Sequence, residues 1–513
     1  MWGSLRLLLK LNLKGKLHVP QSKSIQPKGP ARTRFAPSPT GYLHLGSLRT
    51  ALYNYLLAKS TGGQFLLRLE DTDQKRLVPD AEANIYKSLN WTGLRPDESP
   101  EVGGPYGPYK QSERKSIYKE YADQLIKAGY AYKCYCSKDR LLHLRETAMA
   151  LKPPTTVTYD RKCLHAPEGE EEFTFRFKSP ERYEAFTDLL HGKLDLQPLV
   201  NPTDRRFDDF VILKLDGLPT YHFANVVDDH LMKITHVIRG EEWLAATPKH
   251  IAMYRAFGWE PPQFIHIPLL TSLTDKKLSK RQGDIGVLSM KDEGILPEAL
   301  TNFAALFGWS PPRPEKGKPT SEVMSLEDLV SKFLLDHLTK GNAKVNDNKL
   351  HFFNKSHLLS RISEPSSLEK LVDETFPGFK KVTNGEFSKD FWSHLIQNVG
   401  PNVSSIQEIQ NVHTYFFKEV DLAESKMPSE KEKCLSILQT IRRAQTSDSP
   451  FPVDDILKTN PELKKKDLFQ AARFALAGGV SGITIPTLIN ILGYEKYVER
   501  LDNAIVFLEA EIL

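Results

Sequence analysis

The stretch from Ala31 to Glu70 limits the fold more than any other part of the chain. Arg32 to Ala36 is a short extended run, and Pro37-Ser38-Pro39-Thr40-Gly41 is a turn by composition. A helix is expected from about Ser47, because Leu48, Leu52, Tyr55 and Leu56 recur at the spacing of one buried face. Gly62-Gly63 should stop it, and Gln64 to Leu69 alternates into Glu70 as a second strand. Strand, loop, helix, strand is the opening of an open α/β sheet, where ligands collect at the C-terminal ends of the strands.

The same pattern returns later. Phe210 to Leu215 reads as a strand, and Asp216-Gly217 as a turn. A helix then carries Tyr221 and Asn225 on one face, four residues apart. Ile234 to Ile238 is a strand that runs into Arg239-Gly240. Thr247-Pro248 reads as an N-cap and first-turn pair. Phe264 to Leu270 is a further strand, followed by a polar loop from Thr271 to Gly283. Residues about 131–205, with three of the four cysteines, interrupt this order. From about Glu293 onward only helical patterns are seen, so one sheet domain, split by an insertion, precedes a helical tail.

With 513 residues the chain is long enough for several domains and an ample core. No run of about 18 apolar residues exists, so no membrane span is expected. The net charge of +5 invites a nucleic-acid reading, but residues 1–33 hold seven Lys/Arg and no acid, and without them the balance turns to −2. The basicity sits in a leader that fits an organelle transit peptide. Four cysteines are too few for a disulfide scaffold.

Two segments carry chemistry. In the first, Arg34 to Gly46, a His and a Gly stand at the mouth of a helix that follows a strand. Free N–H groups and the positive dipole end make phosphate the natural guest there. Taken alone, His44 reads as a core histidine in a Gly/Pro turn. The second, Asp275-Lys-Lys277-Leu-Ser-Lys280-Arg281, is a charged loop after a strand. Alone it reads as solvated, although a lysine pair can neutralise charge building on a leaving pyrophosphate.

Together, His44-Leu45-Gly46-Ser47 and Lys277-Leu278-Ser279-Lys280-Arg281 resemble the HIGH and KMSKS signatures of class I aminoacyl-tRNA synthetases. Ser47 replaces the second histidine of one, and Arg281 the last serine of the other. The runs RFAPSPTGYLHLGSLRTALYN, RLEDTD, GPYKQSER, LPTYHFANVVDDHLMKITHVIRGEEWLAATPKH and LFQAARFALAGG are similar to bacterial-type glutamyl-tRNA synthetases, over nearly the whole chain after the leader.

The resemblance implies a fold and a set of roles. The fold is α/β: a Rossmann-like doubly wound parallel sheet split by an α+β insertion, followed by an all-helical anticodon-binding domain. The expected domains are a transit peptide (1–30), the two halves of the catalytic domain (31–128 and 211–325), an acceptor-stem insertion (129–210) and the anticodon domain (326–513). Arg34 matches the arginine that pairs with the side-chain carboxylate of glutamate, a task for a fixed bidentate cation. Phe35, Ala36 and Ser38 line the same pocket, and Glu70 matches the group that holds the ammonium. Tyr221, His222, Phe223, Ala224 and Asn225 match a substrate-side segment, and Arg239 a second arginine facing the carboxylates. Two arginines and one acid suit an amino acid with two carboxylates and one ammonium. For ATP the match gives Pro39, His44, Gly46, Glu242, Lys277 and Lys280, with His44, Lys277 and Lys280 catalytic. Glu242 also reads as a helix N-terminal acid favoured by the dipole.

Cys134-Tyr-Cys136 and Cys163-Leu-His165 offer three thiols and an imidazole, a tetrahedral Zn²⁺ set. Some bacterial members of the family have a zinc site of this layout in the insertion; reduced, unligated cysteines are the alternative. Cys434 reads as merely buried.

The implied reaction is activation of L-glutamate with ATP and Mg²⁺, then transfer to the 3′ end of tRNA(Glu), either that tRNA alone or tRNA(Gln) as well. The implied setting is a monomer in the mitochondrial matrix, or alternatively a plastid. A glutaminyl-tRNA synthetase is the nearest rival, but it usually pairs the sheet with a β-barrel rather than a helical tail. A shortened tRNA-modifying paralogue lacks an anticodon domain. A non-catalytic RNA-binding scaffold has no use for Arg34, Glu70, His44, Arg239 and Lys280.

Overall fold

The computed structural model describes residues 24–167, 172–271, 286–312, 321–341, 343–344, 346–427 and 430–512. Most of the expected leader and the whole of Lys277 to Arg281 lie outside them.

Strand β1 (Arg32–Phe35) leads through the Pro37 to Gly41 turn into helix α1 (Leu45–Ser60), and β2 (Gln64–Leu67) pairs with β1 in parallel. The helix starts at Leu45, two residues earlier than its periodicity indicates, because the His44 ring caps it, accepting the Ser47 N–H at 3.4 Å. Leu48, Leu52 and Leu56 are fully buried. So is Tyr53, whose hydroxyl donates to the carbonyls of Ala305 and Phe307, whereas Tyr55 is only half-buried. A second apolar layer covers the face that a single-faced helix would leave in water. Gly63 closes the helix-to-strand joint: a Cβ there would lie 1.9 Å from the Ala31 carbonyl oxygen, so no other residue fits.

Helices α2 (Ala81–Trp91) and α3 (Lys115–Lys127) follow. The next segment holds β3 (Ala131–Cys134), α4 (Lys138–Ala150), the one-turn α5 (Lys162–His165), β4 (Thr174–Phe177), β5 (Phe186–Asp188) and β6 (Gly192–Leu194). Then come β7 (Val211–Leu213), α6 (Tyr221–Leu231), β8 (His236–Gly240), α7 (Thr247–Ala256) and β9 (Gln263–Ile267). Pairing ignores this linear order. β3, β4 and β7 form an antiparallel sheet, although β7 lies beyond residue 210. β5 and β6, from inside the 129–210 segment, join β9 and β8 in the order β6-β5-β9-β8. The β5–β9 and β8–β9 pairs are parallel, and only the edge strand β6 is antiparallel. The parallel sheet read from the sequence is therefore mixed.

β10 (Leu270–Thr271) pairs with β11 (Ala343–Lys344), a two-residue strand inside a region that reads as purely helical. Between them lie α8 (Val287–Asp292), α9 (Pro297–Ala305) and α10 (Leu326–Lys332), with α9 and α10 packed on α1. The rest is helical: α11 (Asp347–Ser363), α12 (Pro365–Val382), α13 (Lys389–Val399), α14 (Ile406–Asn411), α15 (Lys431–Ala444), α16 (Val453–Thr459), α17 (Lys465–Ala477), α18 (Ile485–Leu492) and α19 (Tyr494–Ile512). α19 packs on α15 and α17, and Cys434 is buried there. Among the described residues no helix is long and apolar enough to cross a membrane.

Candidate active site

A cleft of about 1200 Å³ opens where β1, β2 and β8 end. Arg34, Phe35, Ala36, Ser38, Glu70, Tyr221, Asn225, Arg239 and Glu242 all line it, and the strands explain why. Arg34 sits near the C-terminal end of β1, Glu70 follows β2, and Arg239-Gly240 ends β8.

Arg34 is buried and pairs side-on with Asp229, Nε to Oδ1 at 3.0 Å and Nη2 to Oδ2 at 3.3 Å. Arg68 lies behind, fully buried, donating to Asp229 at 2.7 Å and to Glu70 at 3.1 Å. The Asn225 amide satisfies both its ends with its nitrogen toward Asp229 Oδ2 (3.2 Å) and its oxygen toward Arg68 Nη2 (3.2 Å). Asp228 accepts from Gln111, Arg114 and the Tyr118 hydroxyl, each at 2.8 Å. Burial pushes the Asp229 carboxyl up, but Arg34 and Arg68 more than reverse it and hold it low. Burial pushes Glu70 up, against the pull of the same two arginines. Arg34, Arg68 and Arg114 thus face Asp228, Asp229 and Glu70, three cations against three acids, as buried charges require.

Arg239 is different. Its Nε donates to His266 Nε2 at 3.0 Å, Nη1 to the Tyr221 hydroxyl and to His250 Nδ1 at 3.3 Å each, and Nη2 to Thr247 Oγ1 at 2.8 Å. Every one of these acceptors is neutral, and among the described residues no carboxylate reaches the guanidinium. Burial, helped by the nearby charge of Arg239, holds His222 and His266 down at about 4 and His250 well below its ordinary value, so none competes as a cation at neutral pH. Thr247 is inside α7 rather than capping it, and Ala246 holds the cap position. Its hydroxyl is spent on Arg239 instead.

Six expected site residues among the described ones do not line the cleft. Phe223 and Ala224 are fully buried in a core with Ile212, Leu213 and Met253. Helical spacing dictates this: with Tyr221 and Asn225 toward the cleft, residues between them turn to the other side. His222 packs against His250, their ring nitrogens 3.1 Å apart. Pro39 is buried in the turn, where its carbonyl accepts from Val78 N–H. His44 and Gly46 stand at the α1 N-terminus beside the cleft residue Ser47. His44 also bridges to Gly286, the first described residue after the segment that holds Lys277 and Lys280.

Asp228, Asp229 and Trp243 were not singled out from the sequence. The two acids stand late in a helix, where acids usually face water. Trp243 lines the cleft 4.2 Å from the Tyr221 ring; a tryptophan at the joint after Arg239-Gly240 was the available signal.

In the other region, Cys134, Cys136 and Cys163 bring their sulfurs within 4.8 Å of one another. The Tyr159 hydroxyl lies 3.4 Å from Cys134 Sγ and 3.5 Å from Cys136 Sγ. His165 is exposed and outside the group. It sits two residues from Cys163 in a single helical turn, so the two side chains diverge by roughly 200° about the axis. The oxygen beside the three sulfurs is that of Tyr159, and the expected fourth member, His165, stands apart from them. Burial pushes the Cys134 thiol up, but Tyr159 and the Arg176 guanidinium bring it below its ordinary value.

Comparisons with known proteins show the family of the chain. The family of tRNA synthetases class I (E and Q), catalytic domain, matches residues 30–352, and an anticodon binding domain matches residues 367–505. The chain belongs to the class I tRNA synthetases of the E and Q group. It is 51% identical over 509 residues to the mitochondrial glutamate–tRNA ligase of Saccharomyces cerevisiae, covering 95% of this chain and 93% of that one. It is 40% identical to the mitochondrial glutamate–tRNA ligase of Schizosaccharomyces pombe, over 94% of this chain and 92% of the other. The glutamate–tRNA synthetase structure from Elizabethkingia anophelis superposes with a TM-score of 0.75 at 33% identity, covering 93% and 99% of the two chains. The synthetase fold, a catalytic α/β domain with mixed sheets followed by a helical anticodon-binding domain, is common to them.

Proposed function

We infer that this synthetase is a glutamate–tRNA ligase of an organelle. It joins L-glutamate to the 3′ end of tRNA(Glu) at the expense of ATP. The observation that carries the amino-acid choice is Arg239, a buried guanidinium held only by neutral acceptors, which lines the same cleft as Glu70. An anionic group is what such a cation lacks. Arg34 adds a second cation, with Nη1 not used by its pair with Asp229. Glu70 offers the anion for the ammonium.

The chemistry needs no side-chain nucleophile. The α-carboxylate of glutamate attacks the α-phosphate of ATP, and pyrophosphate leaves. The terminal ribose hydroxyl of tRNA then attacks the activated carbonyl and gives up its proton, the mixed anhydride bond breaks, and AMP leaves. Residues contribute by positioning and by neutralising charge. His44 and Gly46 present the α1 N-terminus to phosphate, Glu242 meets the nucleoside, and Lys277 and Lys280 balance the pyrophosphate. Mg²⁺ enters on the ATP phosphates. Lys280→Ala is expected to lower activation at least tenfold with tRNA affinity unchanged.

The thiol group suits a structural Zn²⁺. Tetrahedral thiolates at about 2.3 Å from zinc lie about 3.8 Å apart, and Cys136 and Cys163 are 3.5 Å apart. Cys134, Cys136, Cys163 and Tyr159 would hold it.

The mitochondrial names of the two yeast relatives support a mitochondrial rather than a plastid setting; there the enzyme works in the matrix, as a monomer. The deciding experiment is acylation of purified organellar tRNA(Glu) and tRNA(Gln) with labelled glutamate and glutamine. Glutamate on tRNA(Glu) is the expected product. Glutamate on both tRNAs marks an enzyme that also charges tRNA(Gln), and transfer of glutamine overturns the reading.

A further inference from the structure

Asp188 belongs to the 129–210 segment, yet its side chain is fully buried beneath the cleft. Its Oδ1 accepts the backbone N–H groups of Leu190 and His191, both at 2.9 Å. Its Oδ2 accepts the His266 backbone N–H at 3.1 Å and lies 2.7 Å from His266 Nδ1. The other ring nitrogen, Nε2, is 3.0 Å from Arg239 Nε.

The hydrogens can be assigned without ambiguity. Arginine Nε only donates, so His266 Nε2 must present its lone pair. His266 Nδ1 then carries the hydrogen and gives it to Asp188. Two neighbours extend the pattern. Thr247 Oγ1, itself 3.1 Å from His266 Nε2, accepts from Arg239 Nη2 and passes its own hydrogen to the Trp243 carbonyl at 3.2 Å. His250 Nδ1 accepts from Arg239 Nη1, so its Nε2–H faces His222 Nδ1.

We propose that Asp188 and His266 are positioning residues for glutamate: Asp188 fixes the His266 tautomer, and the imidazole orients the Arg239 guanidinium toward the substrate carboxylate. This rests on the reading that Arg239 meets that carboxylate. The arrangement solves a conflict. A carboxylate bound directly to Arg239 would compete with the substrate for the same N–H groups. Placed one imidazole away, Asp188 still stabilises the cation and leaves it open to an anion.

Asp188→Asn breaks the logic. Turned to accept from His266, the amide sets its NH₂ against the backbone N–H groups of Leu190 and His191. Turned the other way, it forces the hydrogen onto Nε2, against Arg239.

The test is steady-state acylation with the full-length enzyme and tRNA(Glu). Asp188→Asn and His266→Phe should each raise KM for glutamate about tenfold or more, the cost of about one charge-assisted hydrogen bond, with KM for ATP unchanged. In an Arg239→Lys background, which has no Nε–H, Asp188→Asn should add little further loss. A glutamate KM untouched by either variant, or an equal loss in both backgrounds, overturns the proposal. If Arg239→Lys itself leaves the glutamate KM unchanged, the underlying reading of Arg239 fails instead. His266→Phe keeps the test open should the aspartate variant fail to fold.

Discussion

Arg34 and Asp229 meet side-on through two hydrogen bonds, at 3.0 and 3.3 Å, both side chains almost cut off from solvent. The same carboxylate also accepts from Arg68. One acid therefore sets the geometry of two arginines, of which only Arg34 lines the cleft. Asp229→Asn keeps the shape but removes the charge, leaving a buried arginine short of its partner. Breaking such a pair typically costs about 3–5 kcal/mol. A loss of thermal stability and a rise in glutamate KM well above that in ATP KM are expected. Unaltered kinetics would show that Arg34 is placed without Asp229.

Gly240 offers a separate handle on the nucleotide side. A Cβ at this position would lie 2.1 Å from Glu242 Oε2, so Gly240→Ala must push the Glu242 carboxylate aside. With Glu242 on the nucleoside, ATP KM should rise about tenfold, the worth of one good hydrogen bond. Glutamate KM should change less. A variant with the reverse pattern would move Glu242 to the amino-acid side.

The neutral histidines behind Arg239 make stability depend on pH. His222 and His266 are held at about 4 in the fold, against an ordinary value of 6.5. Between these values the unfolded chain binds protons that the folded one refuses. Stability therefore rises with pH across this window and falls as pH drops through it, by up to about 1.4 kcal/mol per pH unit for each group. Unfolding midpoints at pH 5 and pH 7 should differ accordingly, and by less in His222→Phe. An equal difference in that variant would assign the dependence to other groups.

Zinc analysis separates the two candidate fourth ligands. Cys163→Ser should abolish bound zinc, and Tyr159→Phe should weaken retention against a chelator by about tenfold. His165→Ala should leave zinc content unchanged. Loss of zinc in the histidine variant would restore His165 to the set.

Much of the cleft was legible in the sequence because its residues fall at strand ends or on one helical face. The places of Glu70, Arg239, Tyr221 and Asn225 at strand ends or on one helix face follow from local periodicity plus the rule for open α/β sheets, whereas their roles, and that of Arg34, come from the resemblance to glutamyl-tRNA synthetases. Periodicity also explains the failures. Phe223 and Ala224, taken with their neighbours as one segment, fall on the wrong side of α6. Cys163 and His165, read as a pair from spacing, point apart in a one-turn helix. Thr247 looked like a cap, but its hydroxyl answers to Arg239, a tertiary partner no local rule reveals. Asp188 is the hardest case. It acts on His266, in a strand that begins 75 residues later, and strand pairing over that distance has no local signature.

The pairing of Asp188 with Phe264 has a practical consequence for anyone trimming this enzyme. The 129–210 segment looks like a detachable module in the linear order, and excising it is the obvious route to a minimal catalyst. The cut would remove β5 and β6 together, leaving β9 as a bare sheet edge ready to pair with another chain. It would also strip β7 of its partner β4. A fragment designed this way should be sticky as well as inactive. A workable miniature must keep β4 as well as the stretch around residues 186–194 and shorten the chain ahead of β4, so the boundary between adaptor and engine runs through the insertion rather than around it.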